Sequence, residues 1–193
     1  MFPKIRRKLA FPATPKLRIA QVTAALRLLE AAESFPPDRW SELENYRPQV
    51  LAGSAADLQQ LAAGVRLGAI DLSSVDHAVF MFTQWRDGPM DDAFRVVLWQ
   101  AFGVPVYEVL ISPGGRVLAS ECEAYEGWHV EPHASFFVTD AELVWHAPGE
   151  RGMRSGLTAR IETEPCPCGQ AGTRLVDLEA AGPRIVRSLA ATA

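Results

Sequence analysis

The sequence predicts an α/β protein in which a parallel sheet with flanking helices is followed by a small antiparallel β subdomain that carries a metal site. Three observations carry that expectation. Between Ser54 and Ile111, segments with helical and strand patterns alternate, the order that builds a parallel sheet. After Pro113-Gly114-Gly115 the helical pattern stops and short strand-like segments follow one another, separated by turns. The three cysteines, Cys122, Cys166 and Cys168, fall into one pattern with His129, and three thiols with one imidazole are the donor set of a closed, four-coordinate zinc site.

Residues 1–46 read as an N-terminal arm and helices. Lys4, Arg6, Arg7, Lys8, Lys16 and Arg18 concentrate positive charge there, which reads as a solvated terminus. A helix is predicted from about Lys16 to Glu33. Leu17, Val22, Leu26 and Leu29 fall at helix-like spacings, Thr14 before Pro15 serves as the cap, and Phe35-Pro36-Pro37 ends it. A short helix near Asp38 to Tyr46 gives way at Pro48.

Residues 47–112 form the predicted α/β core. Ser54 caps a helix to about Leu67 in which Leu58, Leu61 and Val65 share a face. Asp76 to Thr83, apolar through Ala78-Val79-Phe80-Met81-Phe82, reads as a parallel strand buried on both faces. Asp91 to Phe102 is an amphipathic helix closed by Gly103, with Trp99 expected in the core, and Val104 to Ile111 is the next strand. An Asp91-Asp92 pair at a helix start reads as capping and dipole compensation.

Residues 113–178 make the β subdomain, with strands expected at Arg116 to Cys122, Ser135 to Thr139, Glu142 to Trp145, Gly156 to Glu162 and Arg174 to Asp177. The metal ligands lie at the end of the first of these and in the Pro165-Cys166-Pro167-Cys168-Gly169 loop, so the ion would tie together pieces remote in sequence. Two prolines and a glycine restrict the backbone around both loop thiols. The spacing is not that of a zinc finger, and the bland alternative is a buried strand cysteine plus two reduced loop thiols. His133 and His146 are alternative fourth ligands; His129 is preferred because His133 follows Pro132 and His146 lies outside the compact pair. Glu121, Glu123, Glu126 and Glu131 read as the solvated face of a strand and loop. Residues 179–193 read as an Ala-rich C-terminal tail.

Composition bounds the function classes. At 193 residues, 48% hydrophobic and 22% charged, the chain is globular and long enough for one good core or a core plus a small subdomain. No apolar stretch approaches the about 18 residues of a membrane span. A net charge of -4 argues against nucleic acid as a partner. An odd number of cysteines and no leader-like apolar run make a reducing cytoplasm the expected compartment. None of the four histidines pairs with a Gly-x-Ser-x-Gly elbow, so a serine hydrolase has no local support.

The ordered words Arg47-Pro48-Gln49-Val50-Leu51-Ala52-Gly53, Asp57-Leu58-Gln59-Gln60-Leu61-Ala62, Ile70-Asp71-Leu72-Ser73-Ser74, Ala101-Phe102-Gly103-Val104-Pro105-Val106-Tyr107, Glu121-Cys122-Glu123 and Gly127-Trp128-His129-Val130 resemble the middle of phenylacetate-coenzyme A ligases. These belong to the adenylate-forming superfamily, which activates a carboxylate with ATP and passes it to coenzyme A. The resemblance covers residues 47–177 and includes the Cys-Pro-Cys-Gly loop, which in some members holds zinc together with a Cys and a His. It implies an adenylating fold with a zinc staple at Cys122, His129, Cys166 and Cys168.

Measured against that family, the residues of its chemistry are missing. No phosphate-binding Ser/Thr/Gly-rich loop precedes residue 47. Thr83-Gln84-Trp85-Arg86-Asp87-Gly88 replaces the stretch beside adenine, which puts nucleotide binding in doubt, and Trp85 would fill the pocket or anchor a partner. Leu110-Ile111-Ser112-Pro113-Gly114 replaces the aromatic and the Mg²⁺ carboxylate, and Leu157 stands where an Asp would hold the ribose. No adenylating lysine domain follows Asp177. The expected role is a catalytically inactive, zinc-stabilised binding or scaffold protein that meets a protein partner or its own twin. The alternatives are an adenylating subunit completed by a partner chain, and a metal-handling protein.

Overall fold

The computed structural model describes residues 17–23, 32–84, 87–140, 142–146 and 152–181. Among the described residues, twelve strands form two sheets: β1 (Ile19–Gln21), β2 (Glu33–Ser34), β3 (Val50–Ser54), β4 (Ala78–Gln84), β5 (Val106–Ile111), β6 (Val117–Glu121), β7 (Trp128–Val130), β8 (Ser135–Thr139), β9 (Glu142–His146), β10 (Met153–Arg154), β11 (Leu157–Glu162) and β12 (Arg174–Ala180). A 3-10 turn at Pro37–Glu42 leads into α1 (Leu43–Tyr46), and α2 (Ala55–Arg66) and α3 (Asp92–Phe102) follow. The large sheet has nine strands in the order β11-β12-β7-β6-β5-β4-β3-β1-β2. It is parallel from β2 to β5 and antiparallel from β5 to β11.

The helices of the core form where the sequence predicts them, for local reasons. Ser54 Oγ accepts the Asp57 N–H at 3.2 Å and donates to the Asp57 carboxylate at 2.7 Å, a reciprocal cap at the start of α2. Asp91 Oδ1 accepts the Phe94 N–H at 2.6 Å, and Gly103, at φ 69°, closes α3 in the left-handed region. Leu58, Leu61, Leu98 and Phe102 then pack onto the Leu51, Val79, Met81 and Val106 face of the sheet. Ala52, Phe80, Phe82, Tyr107 and Val109 on the other face form a second buried cluster, so β3, β4 and β5 are apolar without alternation.

Three expectations are corrected. The helix from Lys16 to Glu33 is not formed at its described ends: Ile19–Gln21 is a parallel strand between β2 and β3, and Glu33–Ser34 is another. Ile19, Ala20, Gln21 and Val22 are all buried, which a two-faced sheet position accommodates and a surface helix does not. The proposed cap at Thr14-Pro15 and residues 24–31 lie outside the described residues, as do Lys4, Arg6, Arg7, Lys8, Lys16, Trp85 and the tail from 182. Trp99 is 48% exposed, because Leu98 and Phe102 define the buried face of α3.

The third correction concerns the β subdomain. β6, β7, β12 and β11 do not form a separate sheet; they continue the large one through β5. Among the described residues, only β8, β9 and β10 stand apart, as a three-stranded antiparallel sheet. Leu118, Leu143, Trp145, Leu157 and Leu175 fill the space between this small sheet and the antiparallel half of the large one. The Cys/His residues lie on the large sheet and its loops. Among the described residues, no helix is long and apolar enough to cross a membrane.

Candidate metal centre

Two turns of the same construction bring the cysteines into place. After β6 the chain turns at Cys122, with the Tyr125 N–H donating to Cys122 O at 3.0 Å and Tyr125 at φ 54°. Between β11 and β12 it turns at Cys166, with the Gly169 N–H donating to Cys166 O at 2.8 Å and Gly169 at φ 82°. In each turn the backbone amide two residues on points back at the sulfur: Ala124 N–H at Cys122 and Cys168 N–H at Cys166. The Gln170 N–H donates likewise to Cys168 Sγ at 3.4 Å. Amides aimed at sulfur favour the thiolate, which is the form that ligates metal.

His129 comes from β7, opposite Ser120 on β6 and Arg174 on β12. The Cys122 and Cys166 sulfurs stand 3.6 Å apart, and Cys168 Sγ is 3.4 Å from His129 Nε2. All four donor atoms lie within 4.8 Å of one another. Bonds of about 2.3 Å to sulfur and 2.0–2.1 Å to nitrogen place tetrahedral ligands about 3.8 Å (S to S) and about 3.6 Å (S to N) apart, so the cage has the right size. His133, the first alternative ligand, is engaged at its Nε2 by Val117 O at 2.8 Å, and His146 pairs with Ser135 in the small sheet; neither joins the cluster.

The electrostatics fit a cation held by neutral imidazole and thiolates. Burial, and then the Arg174 charge, hold His129 below the usual histidine range, so the ring is neutral at physiological pH. Its buried Nδ1 has no hydrogen-bond partner among the described residues, which leaves Nε2 as the atom facing the sulfurs. Burial pushes the Cys122 thiol up to about 12. Cys166 is held below its ordinary value: burial opposes this, but the Cys168 amide, the neighbouring sulfurs and the Arg174 charge outweigh it. Beside the thiol that resists ionisation stands one that favours it, and a bound cation would offset the charge of the second thiolate. Three thiolates and a divalent ion would leave one net negative charge beside buried Arg174, which also pairs with Glu162.

Around this cage, supporting residues appear that the sequence pattern does not reveal. Arg174 donates to Glu126 O at 2.6 Å and to Glu162 at 3.1 Å, tying the 122–127 loop to β11. Glu121, read from the sequence as part of a solvated acidic face, has a side chain only 6% exposed. It receives both Arg95 nitrogens, at 2.9 and 3.0 Å, and the Glu108 N–H at 2.7 Å. The Arg95 guanidinium lies 5.1 Å from the Tyr125 ring centre, and Tyr125 stacks on Tyr107 at 5.3 Å. Gly127, at φ 95°, sits where a Cβ would be 2.4 Å from Leu175 O, so glycine is required for the loop to reach β12. A buried glutamate one residue before a cysteine carries no sequence signature of its own.

At the positions where the resemblance places nucleotide contacts, the structure has a hairpin and a buried leucine. β5 runs into a tight hairpin in which Ser112 N–H donates to Arg116 O at 2.8 Å and Gly115 N–H to Ser112 O at 2.9 Å. Leu157 is 1% exposed, in the core under the small sheet. The adjacent Ser155 hydroxyl is spent on Leu143 O at 2.7 Å.

No protein-family model and no curated protein matches the chain. Solved structures do match in fold. 2-Hydroxyisobutyryl-CoA ligase with 2-HIB-AMP and CoA superposes with TM-score 0.68 at 14% identity, over 88% of this chain and 44% of that one. Coronafacic acid ligase from Pectobacterium brasiliense gives 0.58 at 10% identity, over 86% and 39%. The amide bond synthetase McbA from Marinactinospora thermotolerans gives 0.53 at 15% identity, over 84% and 41%. The chain thus shares its fold with part of each of these enzymes and spans less than half of their length.

Proposed function

We propose that the protein is a zinc-stapled binding or scaffold protein, built on part of the adenylate-forming ligase fold and resembling phenylacetate-coenzyme A ligases, and that it does not itself adenylate. The observation that carries this is the cage of Cys122, His129, Cys166 and Cys168, whose donor atoms converge within 4.8 Å. Four protein donors fill the coordination of zinc and leave no position for substrate, so the ion's work is to hold β6, β7 and the β11–β12 loop together. The hairpin after β5 and the burial of Leu157 support the loss of nucleotide chemistry: neither offers a carboxylate to Mg²⁺ or to a ribose. The partner is a protein or a second copy of the chain, in a reducing cytoplasm where thiols stay free for zinc.

The test is metal analysis of the purified protein by mass spectrometry beside thermal melts with and without chelator and with and without Mg-ATP. One tightly held zinc per chain, a melt lowered by chelator and indifference to Mg-ATP are expected. Stabilisation by Mg-ATP, or absence of zinc, overturns the proposal. A second reading, an adenylating subunit completed by another polypeptide, is favoured by the coverage of less than half of each ligase. It requires nucleotide binding once that polypeptide is added.

A further inference from the structure

The three sulfurs of the cage are not equivalent. Cys122 Sγ and Cys166 Sγ face each other at 3.6 Å, whereas Cys168 Sγ lies 3.4 Å from His129 Nε2 and receives the Gln170 N–H. A disulfide holds its sulfurs at about 2.05 Å, so closing the first pair takes a shift of about 1.5 Å shared between two side chains. A bond between Cys166 and Cys168 would instead close a small ring across Pro167, whose φ is fixed. Access differs as well. Cys166 is 4% exposed, while Cys122 and Cys168 are partly exposed, so a small solute meets Cys122 before Cys166.

The pair that faces each other is also the pair that spans the fold. Cys122 follows β6 and Cys166 opens the turn between β11 and β12, 44 positions later. A covalent bond there joins the same two pieces that a bound ion would hold. Both turns can survive it, because their closing hydrogen bonds run to Cys122 O and Cys166 O and not to the sulfurs. The bond would nevertheless consume two of the four donors. His129 and Cys168 that remain make half of a zinc shell, too little to retain the ion.

We infer that the cage is a redox switch in which a peroxide turns the Cys122–Cys166 pair into a disulfide, so that zinc is released and Cys168 becomes a free thiol while the two turns stay joined. The inference rests on the zinc-stapled role proposed above and names its regulation. The partly exposed Cys122 thiolate attacks one peroxide oxygen: an S–O bond forms, the O–O bond breaks and hydroxide leaves. The Cys166 thiolate then attacks the Cys122 sulfur: the S–S bond forms, the S–O bond breaks and a second hydroxide leaves. The two sulfurs lose two electrons, the peroxide oxygens gain them, and two protons from solvent convert both hydroxides to water. Cys168, with an imidazole and not a thiol as its nearest partner, is left out.

The experiment treats the zinc-loaded full chain with excess hydrogen peroxide, follows zinc release with a chromophoric chelator, and maps thiols and disulfides by alkylation and peptide mass spectrometry. About one equivalent of zinc per chain is expected to leave as the Cys122 and Cys166 peptides become cross-linked, with Cys168 still open to alkylation. A reductant followed by zinc restores the starting state. The drop in melting temperature caused by chelator disappears after oxidation, because the disulfide holds the two turns without the ion. Cys168→Ser still forms the bond and Cys122→Ser does not; should either variant not fold, the wild-type disulfide map decides alone. A Cys122–Cys168 or Cys166–Cys168 bond as the main product, sulfinic acid without a disulfide, or zinc retained with all thiols unchanged overturns the inference. Metal content measured before peroxide is added tests the zinc staple separately, and the disulfide map of metal-free protein still shows which pair bonds.

Discussion

Replacing Cys166 by alanine removes one corner of the cage and should separate two parts of the sheet that a metal held there would join. Cys122 and Cys166 lie 44 positions apart in sequence. A cross-link closing a loop of that length is worth about 4 kcal/mol in the chain-entropy treatment. A structural zinc contributes at least this, because its binding free energy is available to the folded state alone. For a chain of this size about 2–4 °C of melting temperature accompanies each kcal/mol, so the variant should melt about 8–16 °C lower. The loss of a small buried sulfur adds on the order of 1 kcal/mol of packing, and melts of both proteins in chelator isolate that part. The assay is circular dichroism or dye-binding thermal melts of wild type and variant, each with and without chelator, with zinc content measured on the same samples. Chelator should bring the wild type close to the variant and leave the variant nearly unchanged. If the variant keeps a full equivalent of zinc, or if chelator leaves the wild-type melt where it was, the structural staple is wrong.

Other perturbations test the support around the cage and the buried Glu108. Gly127→Ala forces a Cβ to within 2.4 Å of Leu175 O at a φ of 95°, and should cost about 2–4 kcal/mol and lower zinc retention, read by melts and metal analysis. Arg95→Met strands the buried Glu121 carboxylate and should cost about 3–5 kcal/mol at neutral pH, whereas Arg95→Met with Glu121→Gln should recover much of it; a single variant that melts with wild type refutes the pairing. Burial raises the folded pKa of Glu108 from 4.5 to about 7, so its favourable contribution is complete below 4.5 and is lost as pH rises through 7. Glu108→Gln should therefore be more stable than wild type at pH 8, by on the order of 3 kcal/mol, and the gain should vanish by about pH 4.5 in denaturant titrations. A gain that is the same at both pH values would show that packing, and not charge, sets its effect.

Much of the core was legible because its signals are local. Ser54, Asp91 and Gly103 mark helix ends through bonds made within four residues, and α2 and α3 begin and end where those residues stand. Cys166-Pro167-Cys168-Gly169 specifies its own turn, and the structure brings Cys122 and His129 to it as the pattern predicts. The segment around Ile19 was not legible. Apolar residues at Leu17 and Val22 satisfy a helical spacing as well as a strand, and the choice is made by β2 and β3, whose partner residues Glu33 and Val50 lie well beyond any local window. Glu121 gave the same difficulty, since its burial depends on Arg95 arriving from a helix 26 positions earlier.

The sequence by itself determined the donor set, the turns that aim the sulfurs and the capped helices, because each of these is a property of residue type within a few positions. Tertiary structure alone decided that the antiparallel strands extend the parallel sheet, that the cage belongs to that sheet and not to a separate subdomain, and that Glu108 and Glu121 are buried. Those outcomes depend on strand pairing and side-chain burial between residues tens of positions apart, where the free energy of association, and not local propensity, selects the arrangement.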